Sequence, residues 1–224
     1  EGSVYAAGVI AKIIREKAEK GEKAVIGMAT GSTPKSLYDE LVRMHREEGL
    51  SFKNVITFNL DEYYPMEADS IHSYHYFMRK ILFDKIDIDP KNYHIPDGMV
   101  PKDQIKKYAA EYEKMIEDAG GLDLQILGIG QNGHIGFNEP GSPVYSKTRL
   151  ITLDNNTRIA NSADFSTLSD VPRMAITMGI NSIMNAREIL LMAWGEAKSN
   201  AIKKSVEGKP TEELPATLLQ HHYN

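Results

Sequence analysis

Cysteine is absent from the 224-residue chain, which excludes disulfides, thiolate catalysis and cysteine-type zinc sites. That suits a reducing compartment, and the expectation is a cytoplasmic protein. No apolar run approaches the roughly 20 residues of a membrane helix, and no secretory signal is visible, so no membrane partner is expected. Positive charge is not in excess. Lys and Arg number 26 against 31 Asp and Glu, a formal net charge of −5, so a nucleic-acid surface is not suggested. Any site for an anionic ligand must therefore be built locally. No internal repeat, low-complexity tract or linker divides the chain, and its length suits one α/β domain with a sizeable core. It opens on Glu1 rather than methionine and stops at Asn224 just after a helical pattern, so residues 1–224 read as a single domain truncated at both termini.

What is present is an alternation of short apolar runs and helical periodicities. Apolar runs at 24–29, 55–60, 122–127, 175–178 and 189–194 read as buried strands, with a short one at 93–96 and a weakly alternating one at 148–153. Helical spacing marks 4–20, the segment after Pro34, 70–84, 103–119 and the segment after Ala197. Strands alternating with helices predict an α/β fold, a Rossmann-like mostly parallel sheet with helices on both faces. The polar stretch 154–172 is long for a connection in a compact domain, which suggests a lid.

The pattern centres on Leu127 to Pro140. Gly128, Gly130, Gly133 and Gly136 break regular structure just after a buried strand, where open α/β sheets place ligands. Among them stand one imidazole, His134, one carboxylate, Glu139, and the amides of Gln131, Asn132 and Asn138. Histidine can exchange a proton near neutral pH, but a strand-to-loop turn with a surface histidine would look the same. Thr30-Gly31-Ser32-Thr33-Pro34 repeats the arrangement after the first strand, with Thr33 as N-cap and Pro34 at the first helical position. Its free N–H groups and hydroxyls would suit an anion, although an ordinary capped helix start fits equally. It is not a Walker loop, because the Gly-Lys-Ser/Thr ending is missing. Asp61-Glu62-Tyr63-Tyr64-Pro65 follows the second strand; paired acids there can be catalytic, but taken alone they favour a solvated turn. Lys198 falls in the first turn of the last helix, where a cation opposes the dipole unless it shares an anion there or stays exposed. His72 and His75 have a metal-ligand spacing but no third ligand nearby, so no metal is expected.

With these motifs assembled, the chain resembles the glucosamine-6-phosphate deaminase (isomerase) family over nearly its whole length. The resemblance rests on residues 30–34, Phe58-Asn59-Leu60-Asp61-Glu62-Tyr63, Gly128 to Pro140, Arg158-Ile159-Ala160-Asn161-Ser162, Ala175-Ile176-Thr177-Met178-Gly179 and Gly195-Glu196-Ala197-Lys198. His134-Ile135-Gly136-Phe137-Asn138-Glu139-Pro140 is its most specific part. The resemblance implies conversion of glucosamine 6-phosphate and water to fructose 6-phosphate and ammonia, an aldose–ketose isomerising deamination in N-acetylglucosamine catabolism, with no cofactor. It implies that His134 opens the sugar ring, that Glu139 orients it, that Asp61 moves a proton from C2 to C1, and that Thr30, Gly31, Ser32, Thr33 and Lys198 hold the phosphate. The partner expected is this small-molecule sugar phosphate; a homo-oligomer is open. The segment around Asp61 also resembles the bacterial branch in which this domain is fused to a further C-terminal domain.

Two positions depart from the family's pattern. Asn132 stands where many members carry an aspartate paired with the ring-opening histidine; it keeps a hydrogen bond and drops a charge. Ala163 stands where many place an arginine that closes onto the phosphate, with Arg158 the candidate substitute. The positions that bind an allosteric amino-sugar phosphate in some members match in part, through Ser142 and Arg149 but with Ile151 in place of a lysine, and no allostery is expected. Two other functions are set aside on the motifs. A 6-phosphogluconolactonase-type hydrolase would carry an Asp-Gly-His-Thr-Ala-Ser-Leu-Phe-like run where this chain has residues 132–139. A non-enzymatic sugar-phosphate sensor would have lost Asp61, His134 and Glu139.

Overall fold

A computed structural model describes residues 1–224, the side chain of Asp164 excepted. The chain forms α1 (Gly2–Glu19), β1 (Ala24–Met28), α2 (Lys35–Glu48), β2 (Val55–Asn59), β3 (Asp61–Tyr64), α3 (Tyr74–Ile81), β4 (Tyr93–His94), α4 (Ile105–Asp118) and β5 (Leu124–Leu127). It continues as β6 (Arg149–Thr152), α5 (Asn155–Asn161), β7 (Met174–Thr177), α6 (Ile180–Met184), β8 (Ile189–Leu191) and α7 (Ser199–Glu207). Five strands make one sheet in the order β4-β2-β1-β5-β8, and every pairing in it is parallel. All five residues of β1, and all four of β5, are buried, as a sheet covered on both faces requires. The covering comes from apolar helix faces: Ala7, Ile10 and Ile14 of α1, Leu37 and Leu41 of α2, Tyr112 of α4 and Ala201 of α7 share one core with the strands. The expected α/β class and single domain are those observed.

The second sheet was not expected. Strands β3, β7 and β6 form a three-stranded antiparallel sheet. Asp61–Tyr64, read as a turn, is one of its strands, and the strand read at 175–178 belongs here rather than to the parallel sheet. One residue joins the two sheets. The Leu60 N–H donates to the Met28 carbonyl of β1, and its carbonyl accepts from the N–H of Met178 just past β7. Asp61 is thus one residue past this junction, where the chain has left the parallel sheet. Successive side chains of a strand point to opposite faces, so Asp61 and Glu62 diverge.

Three boundaries also differ. α3 begins at Tyr74 rather than near residue 70, because Ser73 caps it through a hydrogen bond from the Tyr76 N–H. α2 begins at Lys35 with Pro34 at the cap position, and no side chain caps it, so the Thr33 hydroxyl is not used as a cap. The Lys198 backbone closes a short 3-10 turn, Glu196–Lys198, before α7 begins. The stretch expected as a lid contains α5 and two 3-10 turns.

Candidate active site

The loops after β1, β2 and β5 converge with α5 on a cleft of about 530 Å³. Thr30 to Thr33, Asp61, Asn132, His134 and Lys198 all line it, and Glu139 stands directly behind Asn132. A second groove of similar volume, between α4 and β6, contains none of these groups.

The glycine-rich turn after β5 exists to seat an imidazole. A side chain on Gly130 would place its Cβ 2.2 Å from the His134 ring, so the ring lies directly against that backbone. His134 Nδ1 is 2.7 Å from Asn132 Oδ1, and Asn132 Nδ2 donates to Glu139 Oε2 at 3.0 Å. The remaining Glu139 oxygen accepts from the Thr157 hydroxyl on α5. The proton positions follow from the donors available. An ionised carboxylate only accepts, so the Asn132 amide must turn its NH₂ to Glu139 and its oxygen to the ring. The His134 backbone N–H, 3.2 Å from the same Oδ1, supports that orientation. Nδ1 therefore carries the ring proton, and Nε2 keeps its lone pair as the basic atom. Burial pushes the His134 pKa below its ordinary value; Glu139, 3.6 Å from Nδ1, opposes this and Lys198 adds to it. That balance favours the neutral ring.

Asp61 is only 6% exposed, yet it faces the same cleft. The Thr177 hydroxyl and the Phe137 N–H, itself 3.2 Å from Thr177 Oγ1, lie close enough to its carboxyl to favour the charged form. Burial first, and the neighbouring Glu62 second, raise its pKa to about 8 against that effect. Beside it, Gly136 turns the chain at a φ of +55°, in the left-handed region that favours glycine, while a Cβ there would meet Asp61 Oδ2 at an ordinary contact distance of 3.4 Å. Glu62, on the opposite face of β3, is fully buried and accepts the N–H groups of Tyr63, Tyr74 and His75 at 2.8, 2.8 and 3.1 Å. It thus caps the start of α3, and burial raises its pKa to about 7.

Thr30, Gly31, Ser32 and Thr33, three of them with hydroxyls, line the same cleft as Lys198, whose Nζ lies 2.7 Å from the Ile129 carbonyl. Partial burial lowers the Lys198 pKa, a cost that a bound anion would reverse. Arg158 is not the substitute for the missing lid arginine. Its guanidinium turns back into its own segment and donates to the Leu168 and Val171 carbonyls. Lys198 is the one lysine or arginine lining the cleft among the described residues.

Of the catalytic and phosphate-binding candidates, Thr30 to Thr33, Asp61, Asn132, His134 and Lys198 line one cleft and Glu139 stands just behind it. Three contributors were missed. Tyr74, counted as part of a core stripe, lines the cleft with its hydroxyl bonded to Thr30 and Tyr63. Thr177 was counted as strand interior, and Thr157 as part of a polar loop. His72 and His75 separate: His72 stacks on Phe165 at 4.5 Å, while His75 Nε2 lies 3.2 Å from the Pro96 carbonyl.

A crevice at the carboxyl ends of parallel strands, lined by an imidazole, a buried carboxyl and a hydroxyl-rich loop with a lysine, is the kind of place where α/β enzymes carry their sites. The chain belongs to the family described as glucosamine-6-phosphate isomerases/6-phosphogluconolactonase, which matches residues 3–224. It is 50% identical over 202 residues to a glucosamine-6-phosphate deaminase of Oceanobacillus iheyensis, covering 90% of this chain and 80% of that one. A glucosamine-6-phosphate deaminase-like protein of Bacteroides thetaiotaomicron is 48% identical over 224 residues; this is all of the present chain but 34% of that relative, about a third of its length. A monomeric glucosamine-6-phosphate deaminase superposes with a TM-score of 0.94 at 42% identity, over 99% of this chain and 90% of that one. A 6-phosphogluconolactonase of Thermotoga maritima superposes with a TM-score of 0.70 at 24% identity, over 94% and 88% of the two chains, a likeness of fold alone.

Proposed function

We propose that this chain deaminates glucosamine 6-phosphate, releasing fructose 6-phosphate and ammonia. The observation that supports it most is the ordered chain of hydrogen bonds from Glu139 through Asn132 to His134, set in the same cleft as the separately buried Asp61. An aldose-to-ketose shift needs two proton-transfer groups in different places, one at the ring oxygen and anomeric hydroxyl and one at C2 and C1. His134 Nε2 takes the proton of the anomeric hydroxyl and returns one to the ring oxygen, giving the open-chain aldehyde. Asn132 holds the tautomer, and Glu139 holds Asn132. Asp61 removes the C2 proton, the electron pair forms the C1–C2 double bond, and the carbonyl oxygen takes a proton from the substrate's own ammonium to give an enolamine. The same carboxyl returns the proton to C1. The resulting imine at C2 adds water and expels ammonia, leaving the ketone.

Thr30 to Thr33 and Lys198 hold the phosphate and so fix C1 and C2 against Asp61. Residues 154–172 close over the sugar, with Thr157 of α5 reaching Glu139. Every residue named comes from one copy, so the reading needs no partner subunit. No helix among the described residues is long and apolar enough to cross a membrane. A cytoplasmic setting follows from the substrate, since a doubly charged phosphate ester does not cross a bilayer unaided.

The test is ammonia release from glucosamine 6-phosphate by the purified chain, with incorporation of solvent deuterium at the C2-derived hydrogen. Hydrolysis of a sugar-phosphate lactone without ammonia release would overturn the proposal.

A further inference from the structure

The two halves of the anion site come from loops that are not adjacent in the sheet. Residues 30–33 follow β1 and Lys198 follows β8, with β5 between those strands. One side chain ties them together from outside the cleft. Trp194, the chain's single tryptophan, precedes the Gly195 turn that delivers Lys198. Its indole Nε1–H donates to the Thr33 carbonyl at 2.9 Å. Among the described residues no other donor reaches that carbonyl. The first turn of α2 closes instead from Lys35 to Ser32 and from Tyr38 to Pro34, and Pro34 has no N–H to offer. The far edge of the indole rests on the backbone of α1. A Cβ on Gly2 would lie 2.4 Å from the ring, so no side chain intervenes. Trp194 as a residue is 44% exposed and bears no charge. Burial therefore does not account for its placement as fully as the bond to Thr33 does.

We infer that Trp194 is a positioning residue for the anion: its indole locks the Thr30–Thr33 loop to the segment carrying Lys198, and so sets affinity for the phosphate end of the ligand without touching the reacting carbons. The inference rests on the reading above that this loop and Lys198 hold a phosphate. The Thr33 carbonyl shares its peptide plane with Pro34, which has no N–H, so the indole bond pins the end of the loop to the segment carrying Lys198 and narrows the range of backbone conformations open to Ser32 and Thr33. Released, the loop retains its donors but must be ordered by the ligand, which weakens binding rather than chemistry.

Trp194→Phe retains an aromatic ring on Gly2 and removes the donor. It should raise both KM for glucosamine 6-phosphate and the inhibition constant of inorganic phosphate by the same factor, roughly threefold to tenfold, the worth of one neutral hydrogen bond. The kcat should stay within twofold. In the unmutated chain, saturation with inorganic phosphate should shift the tryptophan emission, because the sole indole is bonded to the loop that binds. This second readout remains decisive if the variant fails to fold. Unchanged KM and phosphate inhibition in Trp194→Phe, a fall in kcat at constant KM, or an emission blind to phosphate would each overturn the inference. Lys198→Ala separates the two levels. If it weakens phosphate inhibition while Trp194→Phe does not, only the role of Trp194 fails; if phosphate does not inhibit the unmutated chain at all, the phosphate reading fails and the inference with it.

Discussion

Replacing Asn132 by aspartate tests how the ring-opening base is tuned. In the present chain the His134 Nδ1 proton meets a neutral amide oxygen at 2.7 Å, and the nearest full charge is Glu139 at 3.6 Å. Asn132→Asp puts a second carboxylate at the first of these positions. One elementary charge about 4 Å away is worth about 4 kcal/mol at an effective dielectric constant of about 20. That is the upper end of the tenfold to roughly thousandfold gain in proton affinity that a neighbouring opposite charge brings. The repulsion works in the same direction. The new carboxylate would face Glu139 across what is now a 3.0 Å hydrogen bond, and a proton on the imidazole relieves it. The neutral form of His134, required for ring opening, would then be depleted at a higher pH than in the unmutated chain. The ring C–H resonances of His134, assigned against His134→Gln, report this titration directly by NMR. The rate profile follows it only where His134 titrates above Asp61, whose pKa of about 8 otherwise sets the limb. A His134 that titrates at the same pH in both proteins, or lower in Asn132→Asp, would refute the claim that residue 132 sets its basicity.

Three further outcomes follow. Asp61→Asn should cut deamination by roughly 10²–10⁴-fold, the usual cost of losing a positioned base, with substrate binding largely intact; turnover near the unmutated rate would remove Asp61 from the mechanism. Because Asp61 must be ionised to act and its pKa is raised to about 8, kcat/KM should climb with pH through that region, and Glu62→Gln, which removes the second of the two causes, should move the limb to lower pH; a stationary limb in a pH series would exclude that coupling. Lys198→Ala should raise KM for glucosamine 6-phosphate by roughly tenfold to a hundredfold, as loss of a charge-assisted hydrogen bond does, and far more than Ala163→Arg lowers it; steady-state kinetics with both variants, and with unphosphorylated glucosamine as control, would contradict this if the two changes were equal or the phosphate made no difference.

The parallel sheet was legible because its strands are buried on both faces and read as continuous apolar runs: Ala24–Met28 and Leu124–Leu127 could hardly be anything else. The second sheet was not, and β3 shows why. Asp61-Glu62-Tyr63-Tyr64 carries two carboxyls that belong in a turn unless something compensates their burial. The compensation is three backbone N–H groups for Glu62, two of them from α3, and the nearby dipoles of residues 177 and 137 for Asp61. Such partners are distant in sequence and leave no local mark. The same applies to Thr157, which meets Glu139 from a segment whose composition indicated only a polar connection. Arg158 illustrates the converse. The sequence offers a cation near the missing arginine, but direction is a tertiary property, and this side chain turns back to brace its own loop. The motif residues were legible because glycine spacing forces the backbone into a narrow set of turns, and those turns fix where the histidine goes.

The single-residue junction at Leu60 has a consequence for how this fold can change. Loops elsewhere around the sheet can lengthen with little effect on what the strands present. Between Asn59 and Asp61 there is no slack, because Leu60 is bonded to β1 on one side and to the end of β7 on the other. A strand displaced by one residue exchanges its two faces. Deleting or inserting one residue here would therefore turn Asp61 toward the buried start of α3 and offer Glu62, one methylene longer, to the cleft. The junction acts as a selector with two settings, and the lengths of the segments on either side of it hold it on aspartate.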